Sequence, residues 1–424
     1  MIGFLTKGLL RDRTRSLFPT LVVTAGVMLT VVLYSYIKGS ENDIVQTHAS
    51  LMSGHVDVVT RAYALDEDQV PNDLALLGLG GILADLRRDW PDLSWTPRIR
   101  FAGLLDVPDA NGETLVQGSA VGLAVDLLGP DSPEPEILNL VEALVRGRLP
   151  ASPGEILLSE VFARRLGVEP GATVTLISST IHGSLATANF QVVGTIRFGV
   201  SAVDRGALLA DLGDVQWALD LQDGAGEILG FFGDRIYQPA RAREIADDFN
   251  RRQTADDDPF APVMRTLRDH SGLAETLDLA NAVGTAVVAL FVVIMSIVLW
   301  NAGLMGGLRR FGEFGVRLAI GENKMHLYAT LLMESFVIAL AGSVLGTALG
   351  LAAATYLQVH GMDISGLLKN SSMMISDVLR ARVTPVSWVI GFVPGLVATM
   401  AGAAISGLGV FRRRTADLTK ELQT

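Results

Sequence analysis

The sequence predicts a membrane protein with four transmembrane α-helices and a large external α+β domain inserted between helices 1 and 2. Three observations carry that expectation. Four long stretches lack any Asp, Glu, Lys or Arg. The charges of the remaining segments separate by sign, and the longest polar segment alternates between strand-like and helix-like patterns. At 424 residues, 49% hydrophobic and with a mean hydropathy of +0.39, the composition agrees.

Taken in order, residues 1–16 read as a cytoplasmic interfacial helix. Lys7, Arg11 and Arg15 recur at i, i+4 and i+8, opposite Ile2, Leu5 and Leu9. A positive flank that only orients the first span is the plainer alternative. The first span, 17–37, would be about 32 Å long as a helix, enough to cross a bilayer. It is too long for a signal-peptide core and no small-residue cleavage site follows, so it is expected to stay as an anchor. The other spans are expected at 279–308, 327–360 and 385–411, lengths that imply tilt or extension past the hydrocarbon. Any one run could be a buried helix of a soluble protein; four in one chain argue against that.

Residues 38–278 hold 19 basic and 37 acidic residues, a net of −18, and the rest of the chain holds 15 and 8, a net of +7. Arg309, Arg310, Arg317 and Lys324 crowd the loop after the second span, and Arg412, Arg413 and Arg414 open the tail 412–424. Loops rich in Lys and Arg stay cytoplasmic. Both termini and the 309–326 loop are therefore expected inside, with 38–278 and a short 361–384 loop outside.

Within 38–278, residues 54–60 (GHVDVVT) alternate like a half-buried strand. Residues 71–89 read as a helix weakened by Gly78, Gly80 and Gly81, and 94–107 and 114–123 as strands. The proline-rich 129–135 stretch marks a subdomain boundary. Beyond it come a strand at 155–159, a helix at 160–166 stopped by Gly167, a strand reaching 177 and another at 190–196. Residues 240–252 read as a helix and 261–267 as a last strand, after the α+β module resumes at 227–234. The numerous carboxylates of this acidic segment read as solvated.

Around the third span, Arg309, Glu313 and Arg317 share one helical face, while Phe311, Phe314 and Leu318 fall opposite. Gly321 can end that helix in a left-handed conformation. Glu334 follows near the junction. Gly342, Gly346 and Gly350 then recur every fourth residue, a spacing that lets a neighbouring helix approach closely in lipid; Gly391 and Gly395 do the same in the last span. A surface helix tied to a tightly packed span can transmit force.

Several chemistries are excluded. The five lysines are followed by Gly, Gly, Met, Asn and Glu, so no P-loop exists. The six histidines show no metal-binding spacing, no GxSxG elbow occurs, and there is no cysteine. No cofactor or metal site is expected, and the acidic balance without a basic patch argues against nucleic acid.

The 309–350 stretch resembles the signature of the FtsX-like permease family of ABC transporters, in the branch holding MacB and the lipoprotein-release permeases LolC and LolE. Glu313, Gly315, Arg317, Gly321, Glu334, Gly342 and Gly346 fill the family's places. The strand–helix–strand unit at 146–177 resembles that branch's external domain, where a β-rich insertion, here about 125–225, sits within an α+β module. The resemblance implies a permease subunit in a bacterial inner membrane. ATP and Mg would then be bound by a separate cytoplasmic ABC ATPase, coupled through Arg309, Arg310, Glu313, Arg317 and Gly321. Glu334 would carry motion into the span, with Arg317 a candidate partner. The glycines would pack a bundle that includes a second permease copy or paralogue. Membrane lipid and a periplasmic carrier or adaptor complete the implied partners. A lipoprotein or other lipid-anchored envelope substrate is the favoured cargo. Efflux with an adaptor, or FtsX-like regulation of a cell-wall hydrolase, are the alternatives. The tail departs from the family, whose members commonly end with prolines and an apolar-Arg motif.

Overall fold

The computed structural model describes residues 13–109, 111–253, 258–270, 272–308, 311–363 and 378–412. In chain order its first elements are α1 (Arg13–His48), β1 (Val56–Thr60), α2 (Arg61–Leu65), β2 (Leu76–Leu77), α3 (Leu79–Asp89), β3 (Leu93–Pro108) and β4 (Thr114–Val125). Next come α4 (Glu134–Ile137), α5 (Leu140–Ala143), β5 (Leu144–Gly147), β6 (Glu155–Ser159), α6 (Glu160–Leu166), β7 (Thr173–Ser179), β8 (Leu185–Ile196), β9 (Ala207–Asp211) and α7 (Leu212–Ala218). Then follow β10 (Gly224–Ala225), β11 (Glu227–Phe232), α8 (Pro239–Arg252), β12 (Pro262–Thr266), α9 (Leu273–Leu308), α10 (Phe311–Ala319), α11 (Lys324–His360), β13 (Met362–Asp363), β14 (Val378–Leu379) and α12 (Phe392–Arg412). They form two compact units, one within 1–42, 278–362 and 379–424, the other within 43–277 and 363–378.

The first unit is a helical bundle. Among the described residues, four segments are long and apolar enough to cross a membrane: Leu17–Ser53, Leu273–Leu308, Lys324–His360 and Pro385–Leu408. The first helix does not end at residue 37. Lys38 and Glu41 pair at 2.7 Å, and no proline follows until Pro71, so nothing stops the backbone ladder before a π-helical turn at Ala49–Ser53. The last helix, in contrast, starts late. Residues 385–388 form one 3₁₀ turn capped by Thr384, and α12 begins at Phe392, with Pro394 in its first turn, where a missing N–H costs nothing.

Small residues set the closest approaches between these helices. A Cβ built on Gly342, Gly346 or Gly350 would lie 2.7, 2.8 and 2.8 Å from the Cβ of Val23, Val27 and Val31. Two rows of four-residue period, one on α11 and one on α1, therefore mesh at backbone distance. Gly391, just before α12, and Gly395 within it close on the same Val27. Gly303 of α9 and Gly402 of α12 sit against each other's helix backbone.

The second unit is built on a ten-stranded sheet in the order β12-β1-β11-β3-β4-β9-β6-β8-β5, with β7 bridging β3 and β8. The 16-residue strand β3 joins its two halves. Its start pairs antiparallel with β11, from Leu93↔Phe232 to Arg98↔Glu227, and its end with β4, from Ile99↔Ala124 to Pro108↔Thr114. Helices α3 and α8 cover the first half, packing Leu86, Ile245 and Phe249 into the core with Val56 and Val58. In the second half, α6 and α7 pack against the strands, and β4–β9 and β6–β8 are parallel pairs.

Several expectations are corrected here. β1 is buried at all five positions, because β11 and β12 flank it on both edges and both faces are covered. The 71–89 helix begins only at Leu79; a 3₁₀ turn, β2 and the left-handed Gly78 (φ +72°) precede it. The strand-rich part starts at Ile99 rather than near 125, because β3 runs straight from one half of the sheet into the other. Within the 129–135 stretch, Glu134 is fully buried against Arg98, while Pro130 and Asp131 are exposed. Strand β9 and helix α7, capped by Asp211, were not anticipated at all.

Candidate functional site

The coupling segment is shorter than 309–326. Helix α10 ends at Ala319, Gly321 turns the chain at φ +98°, and the Asn323 side chain accepts from the Met325 amide at 2.9 Å to cap α11. Residues 322–326 thus belong to the cap and first turn of the next helix. Phe314 is buried against Leu327 and Leu331, with Leu318 beside them. Glu313 and Arg317 are exposed on the helix they share. The apolar side of α10 is pinned to the first two turns of α11, on the side away from the exposed Glu313 and Arg317. Arg309 and Arg310 lie outside the described residues.

Glu334 is the eleventh residue of α11, about 15 Å along it at 1.5 Å per residue, so it lies well into the helix rather than at the junction. It does not meet the exposed Arg317. Instead it lines a cavity of about 580 Å3 within the bundle, shared with Phe18 and Val22 of α1, Asn301 of α9 and Thr399 of α12. The glycine ridge expected to include a second permease chain is filled by this chain's own α1, because Val23, Val27 and Val31 already occupy it.

A third constellation lies in the α+β unit. Asp57 is fully buried on β1; its Oδ2 accepts from Arg265 Nη2 at 2.7 Å, and its Oδ1 lies 3.1 Å from His270 Nε2. Glu67 accepts from Arg265 and lies 3.2 Å from His270 Nδ1. Arg100 donates to the buried Glu227 at 3.1 Å. Arg98 holds Glu134 through two bonds of 2.7 and 2.8 Å and donates to the Ser50 carbonyl at 2.8 Å. Burial alone would lower the His270 pKa, but Asp57 and Glu67 outweigh it and raise it to about 9, so the ring is cationic at neutral pH. Burial pushes Asp57 up, yet His270 and Arg265 hold it below the usual carboxylate range. Burial raises Glu227.

β1 follows the first membrane helix in sequence, and His270 comes just before the second, so this network clasps the strands by which the chain enters and leaves the domain. Sequence reasoning missed it by treating the external carboxylates as solvated. The available signal was Asp57 inside an otherwise apolar strand. Among the described residues no His, Asp and Glu cluster could hold a metal ion.

Four membrane-length helices and an α+β unit between the first two make this a multi-pass membrane protein. Residues 285–414 match the family model of the FtsX-like permease C-terminal domain. Among solved structures it is similar to the periplasmic region of MacB from Actinobacillus actinomycetemcomitans. That similarity has 13% identity and a TM-score of 0.36, and covers 53% of this chain and 94% of that one. No curated protein sequence matches the chain.

Proposed function

We propose that the chain is the permease subunit of a MacB/LolCDE-type transporter, seated in a bacterial inner membrane with both termini inside. A separate cytoplasmic ATPase, which holds the ATP and Mg, docks on the charged side of α10. Its stroke passes through α11 to the external domain, which extrudes or releases a lipoprotein-like or other envelope substrate. The observation that supports this most is the build of α10: Phe314 anchors it to α11 while Glu313 and Arg317 stay exposed. An amphipathic helix fixed on one side is suited to receive a push on the other.

The test is a double charge reversal, Glu313→Lys with Arg317→Glu, in the chain purified with its ATPase. The expected result is loss of ATPase co-purification, or at least a tenfold drop in transport-coupled hydrolysis, with the bundle still folded. Undiminished co-purification and hydrolysis would reject this docking face.

A further inference from the structure

The two faces of the sheet in the α+β unit are finished differently. Strands β4, β3, β7 and β8 lie side by side: Leu104 pairs with Ser119 on β4 and with Ile177 on β7, and Ile177 pairs with Thr187 on β8. One face of these strands sends Phe101, Leu105, Val174, Leu176 and Phe190 into the core. Side chains alternate along a strand, so Leu104, Ile177 and Thr187 belong to the other face. Farther along the sheet that face is closed, where Leu140 of α5 packs with Leu157 and Leu209. Over these four strands it is open, with Leu104 41%, Val121 64% and Leu115 72% exposed.

The open face is also uncharged. Residues 38–278 hold 19 basic and 37 acidic side chains, about one position in four. The outward positions within 102–106, 115–121, 173–179 and 187–191 are Ala, Leu, Val, Ile, Thr, Ser, Asn and Gln, with a single carboxylate. That carboxylate, Asp106, is 9% exposed and accepts from Gln117 at 3.0 Å. The exposed side of α8 in the same unit carries Asp248, Arg251 and Arg252 instead. Two copies of a domain of net charge −18 repel over most of their surface, and at this face they can meet without opposing like charges. A partner of opposite charge would find its complement on the acidic surface elsewhere. The glycine ridge of the bundle is no such meeting place, because this chain's own α1 fills it.

We propose that this face packs against the same face of a second copy of the chain, about a two-fold axis near Leu104 and Ile177. Four strands about 4.8 Å apart, each about seven residues long at about 3.3 Å per residue, span roughly 20 by 23 Å, about 450 Å2. A stand-alone interface buries roughly 800 Å2 per partner, so this contact forms when both copies sit in one membrane and tethering raises their effective concentration. It rests on the permease reading, in which two copies work together, and names where their α+β domains touch.

The chain has no cysteine, so the test uses single Leu104→Cys, Ile177→Cys and Arg251→Cys variants of the full chain with its ATPase, in native membranes treated with a short bis-maleimide. Leu104→Cys and Ile177→Cys should give a cross-linked dimer at least tenfold more than Arg251→Cys on α8. Adding Val121→Glu to Ile177→Cys sets like charges face to face and should cut the dimer at least tenfold with thermal unfolding unchanged, whereas Val121→Thr should leave it. Equal dimer yield at all three positions, no dimer at Leu104 and Ile177, or a heavier adduct with a different protein there overturns the proposal. ATPase co-purification is read in the same preparations. If it persists without the dimer, the contact between copies fails and the permease reading stands; if it is lost in the parent chain, that reading fails by itself.

Discussion

In the membrane bundle, α1 and α11 meet where glycines let two backbones come together, with Gly342, Gly346 and Gly350 against Val23, Val27 and Val31. In the α+β domain buried side-chain joints are ionic: Arg98 with Glu134, both fully buried, and the fully buried Asp57 with the largely buried Arg265 and His270. The contrast follows from solvent. Lipid tails are as apolar as Leu or Val, so burying apolar surface between helices gains little, and close van der Waals contact must hold them. In water, strand pairing and apolar burial already supply the drive, and a paired charge in the core serves to fix one arrangement of strands. Small side chains therefore set the geometry of one region, and complementary charges set that of the other.

The largest effect that tests this contrast is expected at Glu134. Glu134→Ala strands the fully buried Arg98 guanidinium and should destabilise the domain by about 3–5 kcal/mol, seen as a lower urea midpoint for the change in tryptophan fluorescence. Replacing both partners with Met and Leu should recover most of that loss. A single variant as stable as the parent would show that the pair does not hold the strands.

Next in size is a pH effect at His270. Its pKa in the fold lies above its ordinary 6.5, so its stabilisation is complete below about 6.5 and is lost as pH rises through about 9. The domain should lose roughly 3 kcal/mol across that window. His270→Gln should be weaker at pH 7 and nearly flat up to pH 9. A parent protein equally stable at pH 7 and pH 9.5 would show that Asp57 and Glu67 do not hold an imidazolium there.

The smallest effect is expected in the bundle, where overpacking typically costs about 1–3 kcal/mol. Gly346→Leu would drive a side chain into Val27 and the Thr24 carbonyl, so thermal stability should fall even in a monomeric preparation. If stability holds and only assembly of two permease chains suffers, the ridge faces a partner and not α1.

Much of this architecture can be read from residue order alone. Uncharged runs mark the spans, and Gly321 marks the end of α10. The strand–helix–strand unit at 155–179 is legible because Ser159 caps its helix and Gly167 stops it. The rest is hidden for physical reasons. A small-residue ridge is visible as a period of four, but Val23, Val27 and Val31 look like any apolar helix face, so the ridge's partner cannot be named. Asp57, Glu134 and Glu227 look like ordinary members of an acidic surface, because burial depends on pairings 36 to 213 residues away. Strand β9 is a short ALLAD run between turns, and only its parallel pairing with β4 makes it a central strand. Glu334 stands out as a membrane carboxylate, but the cavity beside it requires four helices to be in place.

The proposed transport function requires α10 and the α+β domain to lie on opposite sides of one membrane, the first to receive an ATPase and the second to act on cargo. Because the chain has no cysteine, single Asn111→Cys and Ala319→Cys variants can be probed with a membrane-impermeant maleimide in cells whose outer membrane alone has been permeabilised. The account predicts that Asn111→Cys is labelled at once, and Ala319→Cys only after the inner membrane is opened. Labelling of both positions from the same side would contradict it.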